Sequence, residues 1–294
     1  MGKTTLSSVL GIVVPLILAT ILCVMMGSGG SNFMQFPVFS ICVGIAFTSQ
    51  WMVFLPSYWY RTEKFFDLNG SATYLILVFS ALVTASSIQA RSVLIGILVS
   101  IWAIRLGGFL FSRIRQTGHD SRFVNLKSNF LTFLMVWTLQ GLWITLTFAA
   151  GLGAMTSGKQ GSLDMLAICG LILWLVGFAV EVTADNQKKN FRSAAGNKNA
   201  FISHGLWSWS RHPNYFGEIL LWVGITVIAF PTMTGLGYVT LVSPLFVLIL
   251  LSKVSGIPLL EKQADQRWGS DPEYVRYKSV TPVLFPNPFK NLAK

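Results

Sequence analysis

Eight long apolar runs constrain the fold of this chain more than any other feature. A transmembrane helix needs about 20 consecutive, mainly apolar residues, and each run has roughly that length. Hydrophobic residues make up 53% of the 294 residues and charged residues only 11%, whereas a soluble chain carries about 25% charged residues. A soluble protein is therefore excluded, and the sequence predicts an all-α transmembrane bundle of about eight spans. The runs lie at about 5–26, 33–58, 71–90, 92–111, 129–153, 163–182, 214–230 and 235–252.

The first run has two interpretations. Lys3 precedes it and small residues follow it at 27–31, as in a cleaved signal peptide, but its apolar stretch is longer than the usual core of such a peptide and no A-x-A site follows. We expect eight spans if this run is retained and seven if it is cleaved. In either case 1–294 is predicted to be a single membrane-embedded domain, with N-terminal spans in 1–60 and the remaining core in 61–294.

The basic residues are distributed asymmetrically about these spans. If the N-terminus is cytoplasmic, only Arg91 and Lys159 of the 22 Lys and Arg residues fall in outside segments, and Arg105 lies within the fourth span. Cytoplasmic loops of membrane proteins carry an excess of Lys and Arg, so the pattern predicts that both termini are cytoplasmic. The net charge of +11 is then explained by orientation, and we predict no nucleic-acid partner.

Cysteine and histidine show no spacing typical of a metal site. The cysteines lie inside apolar runs and the histidines are far apart in sequence, so we predict no metal ligand set. The residues concerned are Cys23, Cys42, Cys169, His119, His204 and His212.

The end of the sixth run combines one acidic and two basic residues at helical spacing. Asp185, Lys189 and Arg192 stand at i, i+4 and i+7, so a helix that continued past the membrane surface would present them on one face. Such a face can bind anionic lipid headgroups. It can equally form a clamp for the phosphates of a cofactor, and the spacing alone leaves both interpretations open.

The segment GLWSWSRHPNYFGE at 205–218 is the most unusual in the chain. Pro213 can open a helix, and Asn214 and Glu218 then share one face of the seventh span. Arg211 and His212 stand just before this helix start, where unpaired backbone N–H groups attract an anion. The two tryptophans of the segment, at 207 and 209, have an alternative interpretation as an interfacial aromatic belt.

Acidic groups inside spans need partners, because an unpaired carboxylate in hydrocarbon is costly. We expect Glu218 to pair with Arg105 or with a ligand, and Asp67 and Arg105 can alternatively form structural pairs within the bundle. The tail at 256–285 is mixed apolar and charged, as in an amphipathic helix on the membrane. Glu261, Tyr274 and Tyr277 could instead fold back over 183–213 and close a cofactor pocket.

Two motifs resemble the steroid 5-alpha-reductase superfamily of membrane enzymes, in particular its mostly bacterial branch. They are SRHPNYFGE at 210–218 and SGIPLLEKQADQRWGSDPEYVRYKSVTPVLFP at 255–286, with weaker likeness from Asp67 through RLGGFLFSRIRQTGHDSRF at 105–123. This superfamily includes sterol-ring reductases that use NADPH and isoprenylcysteine carboxyl methyltransferases that use S-adenosylmethionine. The resemblance implies a cofactor enclosed by the C-terminal half, about 180–286, and a lipophilic substrate that enters from the bilayer.

The resemblance also suggests site residues. ADNQKKNFR at 184–192 is similar to the reductase segment that grips NADPH, and Asn214 with Glu218 resembles the Asn-x-x-Gly-Glu end of a reductase motif. The steroid reductases use a Glu and a Tyr in the N-terminal half; if Arg105 follows the tyrosine position, that position holds Trp102 here. Tyr74 and Asp67 are substitutes by position, so the expected catalytic residues are Glu218, Tyr74 and Asp67. The expected cofactor-binding residues are Asp185, Lys189, Arg192, Arg211, His212, Asn214, Tyr215, Glu218, Arg105, Glu261 and Tyr277.

Three functions follow as hypotheses. The first is an NADPH-dependent reductase of a C=C bond conjugated to a carbonyl in a lipophilic substrate, active in lipid metabolism. The second is a methyltransferase that uses S-adenosylmethionine, and the third is a non-catalytic membrane protein that binds lipids. The predicted partners are the lipid bilayer and a lipophilic small molecule, and nothing in the sequence indicates an oligomeric state. A bacterial inner membrane is favoured over the endoplasmic reticulum, with the site facing the cytoplasm.

Overall fold

The computed structural model describes residues 3–27, 29–85, 88–159, 162–197 and 199–289. Within this part of the chain, eight helices are long and apolar enough to cross a membrane, the last one counted over Gly235–Trp268. The predicted polytopic helical bundle is therefore confirmed. The α-helices are α1 (Lys3–Gly27), α2 (Val38–Trp59), α3 (Phe66–Val83), α4 (Ala90–Thr117), α5 (Phe130–Met155), α6 (Met165–Ser193), α7 (Pro213–Ala229), α8 (Val242–Ile249), α9 (Ile257–Trp268) and α10 (Pro272–Val280), and a short hairpin pairs β1 (Asn32–Phe33) with β2 (Phe36–Pro37).

The third span differs from its predicted position. It was expected at 71–90, but α3 covers Phe66–Val83. The ring of Phe66 packs against Phe123 and Trp137 at centroid distances of 4.9 and 5.1 Å, which holds the first turn in the bundle. The polar side chain of Asn69 is accommodated because its amide donates to the Gln50 carbonyl oxygen at 2.8 Å. Hydropathy misses this turn because it counts a polar residue such as Asn69 as unfavourable in a span, whereas in the fold that residue forms a hydrogen bond with a neighbouring helix.

The first of two compact units comprises Met1–Ala167 and Ile228–Ser243. Arg91, which the sequence placed in an outside loop, is buried in the first turn of α4. Its guanidinium donates to the backbone carbonyls of Ile228 and Ser162 and lies 3.1 Å from the Asp164 carboxylate. These bonds compensate for the loss of water around a buried charge. Arg91 thereby joins three segments of this unit.

The second compact unit comprises Ile168–Val227 and Pro244–Lys294. Its helices α6 and α7 touch through their backbones at glycines: a Cβ on Gly217 would lie 2.6 Å from the Gly177 carbonyl oxygen, and one on Gly224 would lie 2.6 Å from that of Gly170. Small residues allow such close approach between membrane helices, where van der Waals contact drives association. Because α6 is 29 residues long, it extends beyond the length that a membrane crossing requires.

We expect the Gly224→Ala substitution to destabilise the protein. The added methyl group would meet backbone atoms of α6, and overpacking of this kind costs about 1–3 kcal/mol. The matched control is Gly44→Ala in α2, where an added Cβ meets nothing within 4 Å and helix propensity favours alanine. The melting temperature in detergent should fall for the first variant and stay level or rise for the second. Equal melting temperatures would contradict the close α6–α7 contact.

Candidate functional site

A cleft in the second unit brings together charged and aromatic side chains. It holds about 830 Å³ of empty space, including open solvent at its mouth. Its charged or titratable lining residues are Lys188, Arg192, Arg211, His212, Glu261 and Arg267, and its aromatic ones are Phe191, Phe201, Trp207, Trp268, Tyr274 and Tyr277. Four cationic side chains therefore surround a space that contains one carboxylate.

The C-terminal turns of α6 form one wall of the cleft. Lys188 and Arg192, one turn apart, line it, and the Lys188 ammonium lies 4.4 Å from the centroid of the Trp207 ring, a cation–π contact. Lys189 is exposed and is not among the lining residues. Asp185 is buried and accepts a hydrogen bond of 3.3 Å from the Asn214 side chain. The helix continues to Ser193, as predicted, and presents the predicted Arg192 to the cleft, but the lysine beside it in the cleft is Lys188 and not Lys189.

The loop before α7 forms a second wall. The Trp207 indole is buried and donates to the Ala184 carbonyl at 3.0 Å, so its interpretation as part of an interfacial belt is wrong. The loop is held to α6 by Gln187, whose side-chain oxygen accepts from the Leu206 backbone N–H at 3.0 Å. Gly205 has a φ of +62°, a conformation that favours glycine. Trp207 is therefore a fixed part of the cleft.

Glu261 of α9 is the centre of the polar end of the cleft. Its Oε1 accepts from His212 Nε2 at 2.8 Å and from Arg211 Nε at 3.1 Å. Its Oε2 lies 3.1 Å from an Arg211 Nη atom and 3.5 Å from Lys278 Nζ. Paired contacts between an arginine and a carboxylate are strong and directional. Glu261 thus links the loop before α7 to both C-terminal helices.

His212 is held in one tautomer by this arrangement. Since the Glu261 oxygen accepts, Nε2 carries the hydrogen, and Nδ1 is buried without a hydrogen-bond partner among the described residues. Its ring stacks on Tyr215 with centroids 5.7 Å apart. Burial lowers the pKa of His212 below its ordinary 6.5; Glu261 opposes this effect, while Lys188 and Arg211 add to it. His212 is therefore neutral at pH 7 and presents an acceptor at Nδ1.

Helix α10 supplies the aromatic side of the cleft. The ring of Phe201 lies 5.3 Å from Tyr274 and 5.5 Å from Tyr277 between centroids. The Tyr277 hydroxyl donates to the Trp207 carbonyl at 2.7 Å, and burial raises its pKa, so it remains a donor. The tail is thus folded back over the loop before α7, with Glu261, Tyr274 and Tyr277 in the cleft.

The remaining predicted residues lie elsewhere. Glu218 is buried in the second turn of α7, one turn after Asn214. Tyr74, Asp67 and Arg105 belong to the first unit. Tyr74 is buried in α3, the Asp67 carboxylate lies 3.8 Å from the Arg113 guanidinium, and the Arg105 guanidinium lies 5.2 Å from the centroid of the Phe109 ring.

Family comparison places the cleft within a recognised sequence family. A family model described as "Protein of unknown function (DUF1295)" matches residues 53–281, well over half of the chain. This chain belongs to that family. The DUF1295 match includes every residue that lines the cleft. Neither the curated proteins nor the solved structures contain a significant match.

Besides Lys188 and Trp207, the lining residues that sequence reasoning missed include Phe201, Arg267 and Trp268. A usable signal exists for the last two. Together with Leu260 and Ala264 they form an i, i+4, i+7, i+8 pattern, which is one face of the helix α9. Phe201 stands in a loop with no periodicity, so only the fold could identify it.

The low pKa of His212 predicts a pH-dependent contribution to stability. Because the unfolded chain binds a proton at this position more readily than the folded protein does, the contribution is fully present above about pH 6.5 and is lost as the pH falls below that value. His212→Gln keeps a donor near Glu261 and removes the titration. The melting-temperature advantage of the wild type over this variant should therefore shrink between about pH 7.5 and 5.5. An advantage that grows on acidification would contradict a buried, neutral His212.

Proposed function

We propose that this protein is an integral-membrane, NADPH-dependent reductase that acts on a C=C bond conjugated to a carbonyl in a lipophilic substrate. The observation that carries the proposal is the cationic and aromatic cleft. NADPH bears three phosphate groups and two ring systems, so it needs several cations and flat apolar walls. Lys188, Arg192 and Arg267 are suited to the phosphates, whereas Arg211 is bonded to Glu261 and to the Lys278 carbonyl. Trp207, Phe201 and Trp268 are suited to the rings.

The resemblance to the steroid 5-alpha-reductase superfamily supports the same proposal. Its motifs at 184–192 and 210–218 lie in α6 and around the start of α7, the elements that border the cleft. Membership of the DUF1295 family is compatible with this assignment but does not name a reaction. We propose a bacterial inner membrane as the location, because the resemblance is to the mostly bacterial branch of the superfamily. From the distribution of basic residues we propose that the cleft faces the cytoplasm.

The proposed reduction needs a proton as well as a hydride. When bound, NADPH would supply the hydride to the β carbon of the enone, and a protein group would polarise the carbonyl and provide the proton that the α carbon takes up. Glu218, Tyr74 and Asp67 stay the predicted candidates for this role. Glu218 belongs to the unit that holds the cleft, and Tyr74 and Asp67 belong to the first unit.

A methyltransferase is the second candidate function, and a specific observation favours it. S-adenosylmethionine carries one carboxylate and a sulfonium cation, and cations are attracted to aromatic faces and to carboxylates. Glu261 with the rings of Tyr277 and Phe201 provides such an environment. The number of cationic side chains in the cleft exceeds what one carboxylate needs, which is why we place the reductase first.

We expect NADPH to stabilise the purified protein and NADH to do so less. A ligand at 100 times its Kd adds about 2.7 kcal/mol of stability, measurable as a rise in melting temperature with NADPH, NADH, NADP⁺ and S-adenosylmethionine in parallel. Turnover is then tested with lipid-soluble enones by the loss of reduced nicotinamide absorbance. Stabilisation by S-adenosylmethionine alone would overturn the reductase in favour of methyl transfer, and no stabilisation by any of the four would favour the non-catalytic lipid-binding hypothesis.

The Lys188→Ala and Lys189→Ala variants form a matched pair for the same measurement. A charge-assisted hydrogen bond contributes roughly 1.5–3 kcal/mol, so loss of Lys188 should weaken NADPH binding about tenfold or more. Lys189→Ala should retain wild-type affinity, since this exposed side chain is not among those that line the cleft. If only Lys189→Ala loses affinity, the sequence prediction is right and the cleft is not the phosphate site.

A further inference from the structure

The C-terminal segment, residues 282–289, exposes large aromatic side chains. Phe285 is 69% exposed and Phe289 is 72% exposed, and the neighbouring Trp209 is 36% exposed. Large apolar side chains exposed next to one another mark a protein or membrane contact. Pro282, Pro286 and Pro288 restrict the backbone of the segment, so presenting the rings costs little additional chain entropy.

Hydrogen bonds hold this segment beside the loop that enters α7. The Arg211 N–H donates to the Pro282 carbonyl at 2.9 Å, and the Asn287 N–H donates to the Trp209 carbonyl at 2.9 Å. The Ser210 hydroxyl donates to the Leu284 carbonyl at 2.9 Å. The C-terminal segment and residues 209–211 therefore form one ribbon.

This ribbon lies where a span enters the bilayer. α7 begins at Pro213 and is a membrane-spanning helix, and the ring of Phe285 lies 6.1 Å from that of Phe216, in the first turn of α7. An exposed ring that contacts the first turn of a span is at the level of the lipid headgroups, where aromatic side chains are favoured. The exposed patch is thus continuous with the surface that the spans present to lipid.

Charge does not explain an attraction of this region to the membrane. The C-terminal segment itself, residues 282–289, contains no charged side chain. Anionic headgroups therefore have no charge to attract within it, and burial of aromatic area is the driving force for its contact with lipid.

We infer that the C-terminal segment is seated in the interfacial layer of the bilayer, with Phe285 and Phe289 inserted among the lipid headgroups. The segment thereby anchors residues 209–212 at the membrane surface. Arg211 and His212 both contact Glu261 in the cleft. The contact of the C-terminal segment with lipid therefore fixes the position of this cleft wall relative to the lipid. The partner surface is a lipid leaflet of any headgroup charge.

The test is spin-label accessibility in the full-length protein reconstituted into nanodiscs. Phe285→Cys and Phe289→Cys are labelled separately in a Cys23→Ser, Cys169→Ser background, with the buried Cys42 retained. Glu273→Cys, at an exposed charged position in α10, is the matched control. Oxygen partitions into lipid and a nickel chelate remains in water, so the ratio of their collision rates reports depth.

We expect the oxygen-to-nickel ratio at positions 285 and 289 to exceed that at 273 several-fold. It should be the same in phosphatidylcholine discs and in discs that also contain phosphatidylglycerol. If the ratio at both positions equals that of the control, the inference is wrong. If a high ratio is found only in discs that contain phosphatidylglycerol, burial of the aromatic side chains is not what drives insertion. Two label positions keep the test informative if one variant fails to fold. The readout uses no cofactor, so it is independent of the proposed reductase function.

Discussion

The bilayer interior offers no water to backbone N–H and C=O groups, and this constraint underlies the architecture. A helix pairs these groups within its own segment, and the eight long apolar helices of the described chain meet the constraint in this way. One consequence reaches the site directly. Helix α6 has 29 residues, about nine more than a crossing needs, and its final turns carry Lys188 and Arg192 into the cleft. The cationic wall is therefore an extension of a membrane span.

A single carboxylate organises the rest of the cleft. Glu261 of α9 accepts hydrogen bonds from Arg211 and His212 in the loop before α7 and pairs with Lys278 of α10, so its side chain joins three segments. A half-buried carboxylate is stable only with such partners. The same contacts determine the tautomer of His212, and its Nδ1, which has no hydrogen-bond partner among the described residues, is an acceptor. The bonds that hold these segments together therefore also fix which nitrogen of His212 carries the hydrogen.

The places where sequence reasoning failed share one physical cause. Hydropathy treats each residue as if it faced only lipid or water. The predicted third span therefore began after Asn69, and Arg91 was predicted to lie in a loop. In the structure, the Asn69 side chain donates a hydrogen bond to Gln50. Arg91 pairs with Asp164 and donates hydrogen bonds to two backbone carbonyls. Trp207 was misinterpreted for a related reason, since the carbonyl that accepts from its indole lies 23 residues earlier in the chain.

By itself the sequence determined the helical membrane fold, the continuation of α6 beyond the membrane and the start of α7 at Pro213, because hydropathy and helix-start chemistry are local properties. Only the tertiary structure decided that Lys188 lines the cleft in place of Lys189, and that Phe201 joins it. Neighbouring residues on a helix differ in direction by about 100°, and a loop has no repeat that indicates direction. Which side chain faces the cleft is therefore decided by the packing of α6, α9 and α10 around Glu261.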